Sequence, residues 1–260
     1  MTGLYIALTF ALTCLGSISG ISGGTVLKPV MDLAGGYAAP QIRVLTGAAV
    51  FFMSLVSVMR NLGLKNQFQP ASALTLVLGA VAGGFLGQAL LARLISAAAD
   101  DHLVKLCQNI ILGSLVLFVL ARTFHKNGRR YELRHGVFRL CAGVSLGLLS
   151  AFLNIGGGPI NMAFLMFLFN MDVKKAAAHS LLIILFAQAA NLLSIALREG
   201  IGAFDLMPLL PCMAVAAVAG SLLGTALNKR MGQRTVLAVF GFMLAVVLCA
   251  VGFNIVKFCK

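Results

Sequence analysis

Two glycine-rich interruptions, one in each half of the chain, limit what this sequence can fold into. The first reads Gly20-Ile21-Ser22-Gly23-Gly24 and the second Asn154-Ile155-Gly156-Gly157-Gly158-Pro159. Both fall inside long apolar stretches where a helix would otherwise run on unbroken. Glycine costs a helix about 1 kcal/mol relative to alanine, and proline about 3 kcal/mol. In lipid, backbone groups freed by a break cost more still unless they face protein or a wet cavity. A chain that breaks its spans twice, at matching places, is expected to use the break.

The lipid setting follows from composition. Mean hydropathy is +0.99, and only 10% of residues are charged, against about 25% in soluble domains. Apolar runs long enough to cross about 30 Å of hydrocarbon lie near 4–22, 42–59, 71–92, 103–121, 136–155, 176–197, 205–227 and 235–256. Shorter apolar pieces at 25–35 and 159–171 follow the two interruptions. The expected fold is an all-α polytopic membrane protein with about eight transmembrane segments and the lipid bilayer as its main partner. The start, Met1-Thr2-Gly3-Leu4, lacks the basic region of a cleaved signal peptide and is expected to enter the first helix directly.

The net charge of +13 does not indicate nucleic acid, because the cations lie between spans. The densest group, Arg122, Lys126, Arg129, Arg130, Arg134 and Arg139, surrounds the middle loop. The positive-inside rule makes that loop cytoplasmic. Cys14, Cys107, Cys141, Cys212, Cys249 and Cys259 are scattered without a CxxC pair. They suggest neither a disulfide framework nor a metal knuckle and read as small apolar fillers.

The chain also repeats itself. Ser22-Gly23-Gly24 aligns with Gly156-Gly157-Gly158 at an offset of 134. Residues 82–94 match residues 219–231 at seven of thirteen positions, at an offset of 137. Internal duplication marks many secondary transporters. The division is a first repeat over 1–122, a basic cytoplasmic linker over 123–135 and a second repeat over 136–260. Each repeat would be a glycine-broken helix or hairpin followed by three transmembrane helices. Three crossings per repeat invert the second half. That choice puts Arg60, Lys65, the middle cluster, Lys174, Lys175, Lys229, Arg230 and Arg234 inside, whereas a parallel arrangement would put Lys229, Arg230 and Arg234 outside.

A helix that restarts in mid-membrane exposes unpaired N–H groups, and these with the helix dipole attract anions. Ser22, Gly23, Gly24 and Thr25 open the first short piece; Gly156, Gly157 and Gly158, with Pro159, open the second. The bland alternative is that these glycines only allow tight packing. Lys28, four residues into the first piece, is a candidate fixed charge; otherwise it snorkels or pairs with Asp32 at i+4. Asn154 and Asn161 flank the second interruption. Gln188, Asn191 and Ser194 form a polar stripe, with a weaker one at Ser54, Ser57 and Asn61. Such amides bind an anion's oxygens, or they satisfy the broken backbone and neighbouring helices. His179 could relay protons or be an ordinary satisfied polar residue. Gly79, Gly83 and Gly87, and Ala216, Gly220 and Gly224, form small-xxx-small faces for helix packing.

Taken together, these features resemble the sulfite exporter TauE/SafE family of membrane permeases. The resemblance rests on Gly147-Leu148-Leu149-Ser150 leading into Ile155-Gly156-Gly157-Gly158-Pro159. It rests equally on Gly16-Ser17-Ile18-Ser19-Gly20 leading into Ser22-Gly23-Gly24 with Pro29. Ala176-Ala177-Ala178-His179-Ser180 and the helix from Gly220 to Arg230 add to it, so it spans almost the whole chain. Ser22 stands where a third glycine is usual, and Asn161 and Ala163 where an apolar residue and a proline are usual. The resemblance implies a multi-pass permease of a bacterial inner (plasma) membrane carrying a small sulfur-containing or organic anion such as sulfite, a sulfonate or sulfoacetate. No cofactor and no metal ion is expected, and the oligomeric state is left open.

Three alternatives stand beside this reading. A transporter of another solute or a metal ion is one, although no His/Cys/carboxylate cluster lies within the spans. A membrane-embedded enzyme is another, although no catalytic constellation has convincing spacing. A scaffold is the third, although it would gain nothing from broken spans. A nucleotide-driven pump is excluded for this chain alone, because no GxxxxGK[ST] motif occurs.

Overall fold

Every apolar run becomes a helix, because a span in lipid satisfies its backbone only within itself. The computed structural model describes residues 2–34, 36–37, 39–62, 70–97, 101–124, 136–153, 156–200 and 209–258. Among these are ten helices and no strand. They are α1 (Thr2–Ser19), α2 (Gly24–Ala34), α3 (Ala39–Leu62), α4 (Pro70–Ala97), α5 (Asp101–Phe124), α6 (Gly136–Leu153), α7 (Gly158–Leu168), α8 (Val173–Glu199), α9 (Leu209–Arg230) and α10 (Gln233–Phe258). Eight are long and apolar enough to cross a membrane; α2 and α7 are the short pieces. Large apolar side chains such as Leu117, Phe118, Leu197, Val215 and Phe253 point outward, as expected of a surface solvated by lipid. The chain is a multi-pass integral membrane protein.

Helix α1 ends three residues earlier than the hydropathy suggests. Gly20 has φ 75°, and its N–H bonds the carbonyl of Gly16 at 2.8 Å. That left-handed residue closes the helix. The chain then doubles back. A β-carbon on Gly23 would lie 3.0 Å from the Leu12 carbonyl, and one on Gly16 would lie 2.6 Å from that of Ile21. Along a straight helix Leu12 and Gly23 would stand about 16 Å apart. The second break matches it: a β-carbon on Gly157 would lie 2.7 Å from Ser150. Each interruption is therefore a hairpin bend.

The duplication reappears in the packing. Contacts of α1 with α9 are mirrored by those of α6 with α4, those of α3 with α9 by α8 with α4, and those of α2 with α10 by α7 with α5. The central pairs α3–α8 and α5–α10 mirror themselves. Glycines set the closest approaches. Gly79 lies over Leu140, Gly83 over Val144 and Gly87 over Leu148, so α4 and α6 run parallel with their backbones touching. Gly220 lies over Phe10 and Gly224 over Cys14, while Asn228 Nδ2 donates to the Ile18 carbonyl. Thus α9 and α1 run parallel too.

This packing separates two adjacent glycines. A β-carbon at Gly83 would overlap the Val144 backbone, whereas one at Gly84 meets nothing within 4 Å. Gly83→Ala should lower the melting temperature of the detergent-solubilised protein, at a cost of about 1–3 kcal/mol for overpacking. Gly84→Ala should leave it unchanged or raise it, by up to about 1 kcal/mol from helix propensity. Thermal unfolding followed by size-exclusion fluorescence measures both.

Candidate functional site

The two hairpin bends meet. A β-carbon on Gly158 would overlap the backbone nitrogen of Ser22, and one on Gly156 would lie 2.8 Å from Ser22 Oγ and 3.0 Å from Gln188 Nε2. Gly156 (φ 73°) and Gly157 (φ 67°) are left-handed, a conformation that favours glycine, so these positions leave room for nothing larger. The outer side of the first bend is closed by α8. A β-carbon on Gly20 would lie 2.5 Å from Ala177 Cα, and Ser180 Oγ donates to the Gly20 carbonyl at 2.7 Å.

The two short helices start differently. In α2, the Ser22 carbonyl accepts from the N–H of Thr25 at 3.1 Å and from its hydroxyl at 2.9 Å. Ser22 Oγ and Thr25 Oγ1 are themselves 2.9 Å apart. Leu27 N–H bonds the Gly23 carbonyl at 3.0 Å. In α7 the N-cap is Gly157, with no side-chain cap and Pro159 in the first turn. Asn161 closes that turn by donating its N–H to Gly157 O at 2.9 Å. Its side chain is fully buried, and neither Oδ1 nor Nδ2 has a partner. A buried amide left in this way costs about 1–3 kcal/mol, so it needs an explanation from the site.

Beside the bends, a small polar pocket is lined by Gly24 at the start of α2, by Arg43, Thr46, Gly47 and Val50 of α3, and by Gln188 and Asn191 of α8. The α3 residues follow the i, i+3, i+4, i+7 spacing of one helical face. Sequence reasoning missed Arg43. It lies at the expected edge of its span, where a cation reads as a loop or snorkelling residue, and only the fold brings it to the α2 start. The 43/46/47/50 spacing was the available signal. Thr46 is tied to its own helix, its hydroxyl donating to the Ile42 carbonyl at 2.7 Å.

Lys28 is elsewhere. It lines a second small cavity with Pro29, Gln108, Asn109, Leu112, Leu153 and Asn254, between α2, α5, α6 and α10. Gln108 donates to the Phe152 carbonyl at 2.6 Å. His179 is buried on α8, and its Nδ1 donates to the Lys175 carbonyl at 2.9 Å; it lines neither cavity. The structure thus brings together Ser22, Gly24, Gly156, Gly158, Gln188 and Asn191, places Asn161 beside Gly157, and separates Lys28 and His179 from them. Asn154 and the side chain of Asp32 lie outside the described residues. Among the described residues, no group of three His, Cys, Asp or Glu could hold a metal ion.

The site is therefore built from restarted helices, amides, hydroxyls and one arginine. A family model described as "Sulfite exporter TauE/SafE" matches residues 5–251. A curated relative, a "probable membrane transporter protein" of Methanocaldococcus jannaschii, is 28% identical over 244 residues, covering 89% of this chain and 88% of the relative. No solved structure matches the chain.

Proposed function

The chain belongs to the sulfite exporter TauE/SafE family of membrane transporters, and we propose that it is a secondary transporter whose cargo is a small sulfur-containing or organic anion held between the two bends. The observation that carries this reading is the polar cavity where the start of α2 meets Arg43, Gln188 and Asn191. Each component suits negative charge. The dipole of a helix start favours anions. A guanidinium offers a planar fork to the oxygens of sulfite or a sulfonate. The uncapped start of α7 and the unpartnered amide of Asn161 extend the same chemistry to the second bend, where the cargo would supply the partner Asn161 lacks.

The mirrored packing supports a reading of alternating access. Two repeats that meet at their bends can rock on the glycine-lined pairs α1–α9 and α4–α6, exposing the cargo first to one side and then to the other. The hairpin bends support an inverted arrangement, since α1 and α2 then leave the membrane on the side they entered and three crossings remain per repeat. Reporter fusions at residues 200 and 231 test this. The inverted arrangement predicts an outside signal at 200 and an inside signal at 231, and an outside signal at 231 contradicts it.

The function is tested by a thermal-shift panel on purified protein, with sulfite, thiosulfate, sulfoacetate, taurine, carboxylates and divalent metals. Saturable stabilisation by the sulfur-containing anions is expected. Sulfoacetate should stabilise more than the zwitterion taurine, whose ammonium group would face Arg43. Stabilisation by metals alone would overturn the anion reading.

A further inference from the structure

We infer that the seam between α3 and α9 is the cytoplasmic gate of the transport path, and that Arg60 latches it shut. The inference rests on the transporter reading and the inverted arrangement above. Ser57 Oγ of α3 donates to Ser17 Oγ of α1 at 3.0 Å and lies 2.8 Å from Ser221 Oγ of α9. Ser221 Oγ donates in turn to the Met53 carbonyl of α3 at 2.8 Å. Almost one turn beyond Ser57, Arg60 Nη1 crosses to the Leu222 carbonyl at 2.8 Å, and Lys229 Nζ reaches back to the Arg60 carbonyl at 3.4 Å. Every one of these bonds joins α3 to the α1–α9 pair.

That pair is built to move as a unit. Gly220 and Gly224 set α9 against the backbone of α1, and Asn228 holds the Ile18 carbonyl. Packing alone does not call for hydroxyls between helices, since glycine against backbone closes the α4–α6 pair. Yet Ser17, Ser57 and Ser221 are all buried in the α3 seam. A hydroxyl rotates to suit its neighbours and exchanges a protein partner for water at little cost. Apolar side chains parted at the same place would be driven together again. Closed, the three hydroxyls satisfy one another; open, they line a wet passage. The repeat-related seam, α8 against α4, is polar too, with Gln88 and Asn191 joined at 2.8 Å. In the inverted arrangement the two seams fall on opposite sides of the bends, as a pair of alternating gates requires.

Arg60 stands at the mouth of the inner seam. It lies in the last turn of α3, and Lys229 and Arg230 lie in the last turn of α9. Closing the seam brings these like charges together, at an electrostatic cost. The two bonds to backbone carbonyls offset that cost and hold the seam. When it parts, the guanidinium and the ammonium lose those carbonyls and face the passage, making a positive mouth for a leaving anion.

The test uses Ser57→Cys with Ser221→Cys, in a chain whose six native cysteines are replaced by serine. The two hydroxyls lie 2.8 Å apart, so an oxidant should join the thiols. The cargo probe is sulfoacetate, because sulfite cleaves disulfides. Cross-linking should cut sulfoacetate counterflow at least tenfold, leave its binding within threefold, and be reversed by dithiothreitol. Full counterflow in the cross-linked protein would overturn the gate. So would loss of binding together with transport, a block that reduction does not lift, or thiols that do not join. A second arm needs no cargo: Ser221→Cys alone is labelled in inside-out vesicles with a small membrane-impermeant thiosulfonate. Arg60→Gln should speed that labelling at least fivefold, and leave labelling of Thr9→Cys, buried in α1, within twofold. Equal rates with and without Arg60, or a rise at both sites, would overturn the latch. If the reduced protein exchanges no sulfoacetate, the cargo reading fails, while the labelling arm still decides the gate.

Discussion

Arg43→Gln should weaken anion binding by about ten- to a hundredfold while leaving the protein folded. A hydrogen bond to a charged group contributes about 1.5–3 kcal/mol, and each 1.4 kcal/mol is a factor of about ten. Arg43 lies in the first turns of α3, half-buried, on the cavity face shared with Gly24, Gln188 and Asn191. Glutamine keeps amide donors but is shorter and uncharged, so the loss reports the guanidinium's charge and reach together. Lys28→Gln is the contrasting variant. Lys28 lines the other cavity, with Gln108, Asn109 and Asn254, and its replacement should change affinity by less than about threefold. Isothermal titration with sulfite measures both. The reverse order, with Lys28→Gln severe and Arg43→Gln mild, would move the cargo into the second cavity.

Gly158→Ala should abolish transport. A β-carbon there would overlap the backbone nitrogen of Ser22 and approach Ile21 Cα at 2.7 Å. These are backbone atoms, so no side-chain rotation relieves the overlap. The two bends must move apart, which costs about 1–3 kcal/mol as overpacking and opens the cradle between the helix starts. Gly252→Ala is the matched control, because nothing lies within 4 Å of a β-carbon at that site. The expected pattern is loss of anion uptake in Gly158→Ala with the protein still present in the membrane, and unchanged uptake in Gly252→Ala. Full uptake in Gly158→Ala would mean that the bends do not work as a fixed pair.

The breaks were legible in the sequence because glycine and proline are locally unfavourable in a span, and a local cost shows in a local sequence. The span limits were legible within a few residues for the same reason. The early end of α1 was not, since hydropathy does not register the left-handed turn at Gly20. The small-xxx-small faces could be seen, but not their partners. That Gly83 meets Val144 while Gly84 faces open space depends on how α4 is rotated against α6. The proposed cargo site divides along the same line. Ser22, Gly24, Gly156, Gly158, Gln188 and Asn191 were readable from the breaks and the polar stripe. Lys28 stood out because it lies deep in an apolar piece, yet helix rotation turns it toward α5 and α10. Arg43 was overlooked because it sits near a span end. Only α8, far away in sequence, brings Gln188 and Asn191 beside it.

The central claim is that the paired bends hold an anion and move it across the membrane. Counterflow in proteoliposomes measures this directly, with purified protein, sulfite loaded inside and labelled sulfite outside. The account predicts saturable uptake, accelerated by internal sulfite, independent of added ATP and reduced at least tenfold by Arg43→Gln. Uptake no faster than in protein-free liposomes, from vesicles that exchange a divalent metal or another cation, would contradict it.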